Sequence, residues 1–179
     1  MASIIIHLNG WPGVGKLTIA RLLRDSLGAR LLDNHTVFNV AFALTEFRSP
    51  EFYAAARTVR DAAFDCASSV PPHVPIIMTN AVSKSDWGEE NWNAIKALAR
   101  QSNRHLLAVV LSCEEAEQAK RIVSPERRYL GKLNDPKGWS LRGRELITEG
   151  ADFLLRLDTT LVPAEQSARQ ICDWARTVG

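Results

Sequence analysis

Five short runs of branched apolar residues, each separated from the next by a longer segment, constrain the fold of this chain more tightly than any other feature. They are SIIIHL (3–8), ARLLD (29–33), VPIIMTN (74–80), HLLAVVLS (105–112) and DFLLRLD (152–158). Near-continuous Ile, Leu and Val marks strands buried on both faces. Where helices separate such strands, crossover connections give a mainly parallel sheet covered on both sides. The sequence thus predicts an α/β fold, a three-layer α/β/α sandwich with a five-stranded, mainly parallel sheet, as a single domain over 1–179.

The segments between the runs carry helix signals. In LTIARLLRDSLG, residues Ile19, Leu22, Leu23 and Leu27 share one helical face, and Gly28 is a natural stop. Ser49 before Pro50 is a hydroxyl cap followed by proline at the first helical position, predicting a helix to about Ser69, ahead of Pro71 and Pro72. Asp86 with Glu89 makes a capping-box pattern before Trp92, Ile95 and Leu98. Ser112 with Glu115 makes another, opening a helix through Ala119 and Ile122. Pro163 starts a last helix with Ala164, Ala168, Ile171 and Ala175 inward.

The segment 124–148 breaks the alternation with three glycines, two prolines and many charges. It is expected to form a mobile lid over the carboxyl edge of the sheet, where open α/β folds bind ligands. Eight basic residues lie between Lys120 and Arg144 against Glu126 and Asp135, in a chain whose net charge is only +2. A local positive field of that kind suits a small anionic ligand rather than nucleic acid.

The three cysteines form no CxxC pair and the four histidines are scattered, so neither a disulfide framework nor a metal cluster is expected. No apolar run approaches the roughly 18 residues of a membrane span. MASIIIHLNG lacks the basic start and cleavage site of a secretory signal. The expectation is a cytoplasmic protein, monomer or weak homodimer, with small-molecule partners and neither nucleic acid nor membrane.

Directly after the first run comes GWPGVGKLT (10–18). Glycines spaced in this way between a strand and a helix let backbone N–H groups wrap a phosphate, and the helix N-terminus adds positive potential. Gly10, Gly15 and Lys16 satisfy the first seven positions of GxxxxGK[ST], and Gly13 frees the backbone further. Leu17 stands where that pattern places the hydroxyl that binds magnesium.

GxPGxGKxT, with threonine one position later, resembles the loop of adenylate kinases. By that resemblance Pro12, Gly13, Val14, Gly15, Lys16, Leu17 and Thr18 line an ATP site, Leu17 does not abolish binding, and Thr18 helps hold the inner phosphates and contributes weakly to the metal. No DGFPR-type segment follows the third run, where the chain has MTNAVS. The order of elements, LDTT (157–160) before VPAEQSARQI, and an arginine-bearing flap are similar to kinases of the shikimate and gluconate type.

That resemblance implies ATP and Mg2+ as cofactors and gives roles to further residues. Asp33, ending the second run and expected next to the loop, would accept the acceptor's hydroxyl proton or hold magnesium through water; the alternative is that Asp33 or Asn34 caps the next helix. His35 could share the role or make a local turn contact. Arg121 would lie against the base, and Arg127 or Arg128 would swing in with the lid to neutralise the transferring phosphoryl. Asp158, Thr159 and Thr160 would line the adenine pocket or serve as a strand end. Asn80 would make a polar contact to substrate. Arg57 and Arg60 would grip an anionic acceptor or form a solvated helix face. Trp87, Trp92, Trp139 and Trp174 are expected to pack, and Trp11 to cover an edge of the site.

The implied activity is transfer of the γ-phosphoryl of ATP to a small hydroxyl-bearing metabolite. The alternatives are a nucleoside monophosphate kinase, which the loop favours, and a non-catalytic nucleotide switch, which Leu17 favours.

Overall fold

The computed structural model describes residues 3–124 and 145–178. Strands β1 (Ile4–Asn9), β2 (Arg30–Asp33), β3 (Ile76–Asn80), β4 (His105–Ser112) and β5 (Phe153–Asp158) form one sheet in the order β2-β3-β1-β4-β5. Every pairing is parallel. Among the described residues six helices flank it: α1 (Lys16–Leu27), α2 (Asn34–Leu44), α3 (Pro50–Ser68), α4 (Asp86–Gln101), α5 (Glu115–Ile122) and α6 (Ala164–Val178).

The two faces of β1 bury different layers. Ile4, Ile6 and Leu8 pack with Ile19 and Leu23 of α1 and with Ala168, Ile171 and Ala175 of α6. Ile5 faces the other way, onto Trp92, Ile95 and Leu98 of α4. This is the period-two geometry of a strand covered on both sides. The central strands β1, β3 and β4 are accordingly buried almost throughout, whereas the edge strand β5 alternates half-buried and exposed.

Several helix ends follow their sequence signals. Gly28 caps α1 in the left-handed region, and the Ser49 hydroxyl accepts from the Phe52 amide at the start of α3. Two caps differ. The N-cap of α4 is Ser85, whose hydroxyl accepts from the Gly88 amide, so Asp86 is the first helical residue. At α5 the cap position is Glu114, with no side-chain cap, and Ser112 remains in β4 with its hydroxyl on the Leu157 carbonyl.

Of the segment expected to form a lid, 124–148, the structure describes residue 124 and residues 145–148. Most of it, including Arg127, Arg128 and Trp139, lies outside the described residues. Its end is anchored: Leu146 bridges Ser83, the Lys84 amide donates to the Glu145 carbonyl at 2.9 Å, and the Ile147 amide donates to the Val82 carbonyl at 3.1 Å.

Candidate functional site

β1 connects toward one edge of the sheet and its neighbour β4 toward the other, so the crevice between their carboxyl ends is the switch point where this architecture binds ligands. The glycine loop fills that crevice. Gly13 and Gly15 have φ of 92° and 89°, a region that L side chains rarely adopt. A Cβ at Gly10 would come within 2.7 Å of the Leu111 carbonyl oxygen, so the chain can leave β1 this close to β4 only as glycine.

Neighbouring elements hold the loop in shape. Gln118 of α5 donates to the Pro12 carbonyl at 2.8 Å. The buried Thr159 hydroxyl lies 3.0 Å from the Val14 carbonyl and 2.9 Å from that of Ser112, one proton serving both. Asn9, fully buried, donates to the carbonyls of Val82 and Ile147 and accepts from the Val82 amide, joining the end of β1, just before the loop, to the β3–α4 connection and to the segment around Ile147. Asn9 and Gln118 escaped sequence reasoning, because their partners lie 73 to 138 residues away and leave no local signal.

Lys16 reaches back over this loop. Its Nζ donates to the carbonyls of Gly10 at 2.5 Å and Trp11 at 3.0 Å. Gly15 caps α1 with no side-chain bond to the helix amides. First-turn amides together with a lysine at the loop mouth are a donor set for phosphate oxygens. Leu17 is half-buried and Thr18 is exposed on the same turn.

Arg121 is bonded on three sides. Its Nε donates to Glu117 at 2.9 Å and its Nη2 to the carbonyls of Thr159 and Thr160 at 2.9 and 3.0 Å. It thereby clamps the turn after β5 beside the loop. Hydrogen bonds from the Thr160 side chain and amide, aided by the Arg121 charge, hold the Asp158 carboxyl below the usual carboxylate range.

On the other side of the loop the register corrects one expectation. β3 lies between β1 and β2, so Asp33 is level with Leu8 across Thr79 rather than beside it. Two strand spacings, roughly 10 Å, separate their backbones. Asp33 caps α2, accepting from the amides of His35 (2.9 Å) and Thr36 (3.4 Å) and from the Thr36 hydroxyl (2.7 Å). The His35 ring stacks toward Phe42 at 6.2 Å. Asn80, level with Asn9, accepts from the Ala81 amide. Between the ends of β2 and β3 and the covering helices lies a cavity of about 20 Å³ bounded by Asn34, Phe38, Arg60, Thr79, Asn80 and Asn91.

Arg57 stays exposed on α3, as a solvated helix face would be, whereas Arg60 is buried. Both pair with Glu90 of α4, Arg57 through two nitrogens and Arg60 at 2.9 Å, and both guanidinium groups lie by the Trp87 ring. These pairs join α3 to α4. Hydrogen bonds from Arg57, then from Arg60, keep Glu90 ionised well below its ordinary range. Trp87, Trp92 and Trp174 pack as expected.

No family model matches the chain, and no curated protein matches it in sequence. Solved structures do. A protein from Chloroflexus aurantiacus, provisionally described as a kinase, superposes with a TM-score of 0.73 at 20% identity over 99% of this chain and 96% of its own. The APS kinase CysC of Mycobacterium tuberculosis, solved with AMPPNP and APS, gives 0.65 at 15% identity over 98% of both chains.

The fold is that of the small P-loop kinases. A gluconokinase from Sinorhizobium meliloti shares it, with a TM-score of 0.54 at 13% identity over 98% of this chain and 97% of its own. The donors of the loop are of the kind that suits a phosphate chain. The loop offers amides and Lys16, whereas no group of three or more His, Cys, Asp or Glu able to hold a metal occurs among the described residues. No described helix is long and apolar enough to cross a membrane.

Proposed function

We propose that this chain is an ATP-dependent phosphotransferase that delivers the γ-phosphoryl group to a hydroxyl of a small metabolite. The observation that carries the reading is the loop itself: two left-handed glycines, an α1 N-terminus with no side-chain cap, and Lys16 folded over the mouth. When bound, ATP with its magnesium supplies the transferable group and part of the charge neutralisation.

The chain's own residues do the positioning. Amides of 13–18 hold the β-phosphate, and Lys16 exchanges its loop carbonyls for phosphate oxygens as charge develops. Arg121, with Asp158 and Thr159, frames the base on the α5 side. Thr18 and Asp33 would hold the magnesium through water, since the Leu17 side chain offers no ligand. Asp33 accepts the acceptor's proton. The roughly 10 Å between its strand and the loop's leaves room for the acceptor and the phosphoryl group. Arg127 or Arg128 would neutralise charge on the transferring group.

Incubation with ATP and magnesium against pools of sugars, aromatic acids, nucleosides and nucleoside monophosphates tests this. ADP release stimulated by one pool is the expected result and names the acceptor class. Saturable nucleotide binding with no stimulated release from any pool would favour a switch instead.

A further inference from the structure

A cavity of about 550 Å³ opens at the other end of the sheet, lined by Ser3, Lys96, Arg100, Asn103 to Leu106, and Asp152. β1 separates it from the glycine loop. Six strand residues at about 3.3 Å each put the two some 20 Å apart. It therefore belongs to no part of the phosphate-loop site.

Its lining is cationic and under-bonded. Arg104 is 5% exposed, and both terminal nitrogens are taken by backbone carbonyls of Val70, Pro71, Pro72 and Val74. Its Nε is buried with no hydrogen-bond partner, as is the Ser3 hydroxyl on the same wall. Among the described residues no carboxylate pairs with Arg104, and burial pushes its pKa down. Lys96 and Arg100 add two charges from α4. The one lining carboxylate, Asp152, already accepts from the Leu106 amide at 2.7 Å. A buried cation without a counter-charge is costly, and buried polar atoms without partners are rare.

The C-terminus of α4 also faces this region, and its dipole would oppose an anion. The carbonyls concerned are already occupied: Leu98 by Ser102, Ala99 by the Arg104 amide, and Arg100 by the Asn103 amide. Three cations therefore prevail over what remains of that field.

We infer that this cavity binds a small oxyanion of the phosphate type, which would give the buried Arg104 guanidinium the counter-charge it lacks, with Lys96 and Arg100 as outer charges. The volume exceeds that of phosphate alone and falls in the range of ordinary metabolite pockets.

Amide-resolved NMR titration at constant ionic strength tests it, with inorganic phosphate and glycerol phosphate as parallel probes and chloride as the control. The expected result is saturable shifts at Asn103, Arg104, His105, Leu106 and Gly150, separate from any at Gly13 and Gly15. Tighter binding of the ester would identify a phosphorylated metabolite, and equal binding free phosphate. A Lys96→Ala/Arg100→Ala variant should weaken binding by about tenfold or more, as should Arg100→Glu alone at an exposed position. Arg104 is left intact because it holds the 70–74 turn. No saturable shift at these amides, or unchanged affinity in both variants, overturns the site whether or not the chain proves to be a kinase.

Discussion

His7 sits in the middle of β1, fully buried, with neither ring nitrogen hydrogen-bonded and its ring 5.3 Å from that of Trp92. Burial, with the Lys16 charge adding to it, pushes its pKa down to about 3 from the ordinary 6.5. The folded chain therefore takes up a proton on His7 less readily than the unfolded chain does. The stability from keeping it neutral is fully present above pH 6.5 and is lost as pH falls toward 3. The slope is about 1.4 kcal/mol per pH unit in that window. Urea unfolding of the parent and of His7→Met between pH 7 and 4 should differ by that slope; parallel curves would contradict it. Asp33 offers a cleaner functional contrast. Asparagine caps a helix about as well as aspartate, so Asp33→Asn should leave stability within about 0.5 kcal/mol while removing the charge. Turnover should fall on the order of 100-fold with the KM for ATP nearly unchanged. Loss of both in equal measure would return Asp33 to its cap.

Among the elements, those with a clear period were legible and those without one were not. The strands declared themselves as apolar runs, α1, α4, α5 and α6 by apolar positions at helical spacing, and α3 by its Ser49–Pro50 start and the prolines beyond it. Helix α2 was anticipated only as something Asp33 might cap. NHTVFNVAFAL is apolar nearly all round, and Val40, Phe42 and Leu44 stay exposed while Val37, Phe38 and Ala41 are buried, so no stripe marks it. The start of α4 was misplaced by one residue because Ser85 and Asp86 are both competent caps, and only the Ser85 hydroxyl meets the Gly88 amide. That glycine carries a constraint invisible in sequence. A Cβ at Gly88 would overlap the Ser83 carbonyl oxygen, on the connection that also bridges to Leu146. Gly88→Ala should cost about 1–3 kcal/mol in urea unfolding and speed amide exchange at Ile147. A neutral result would mean that the α4 start can move away freely.

For the molecule as a whole, alternation of runs and helices gave a parallel five-stranded sheet but not its order, and the order decides who neighbours whom. Placing β3 between β1 and β2 moves Asp33 a strand farther from the loop, and the pairing of Arg57 and Arg60 with Glu90 takes both arginines into a joint between helices. Long-range pairings of this kind leave no local pattern. The loop was the exception, because backbone conformation, close approach and phosphate chemistry all require the same few residues in sequence. Calorimetric titration with a non-hydrolysable ATP analogue and magnesium tests that loop most directly. The account predicts one saturable site in the parent and affinity reduced by about tenfold or more in Lys16→Ala. No binding to the parent, or equal binding to both proteins, would contradict it.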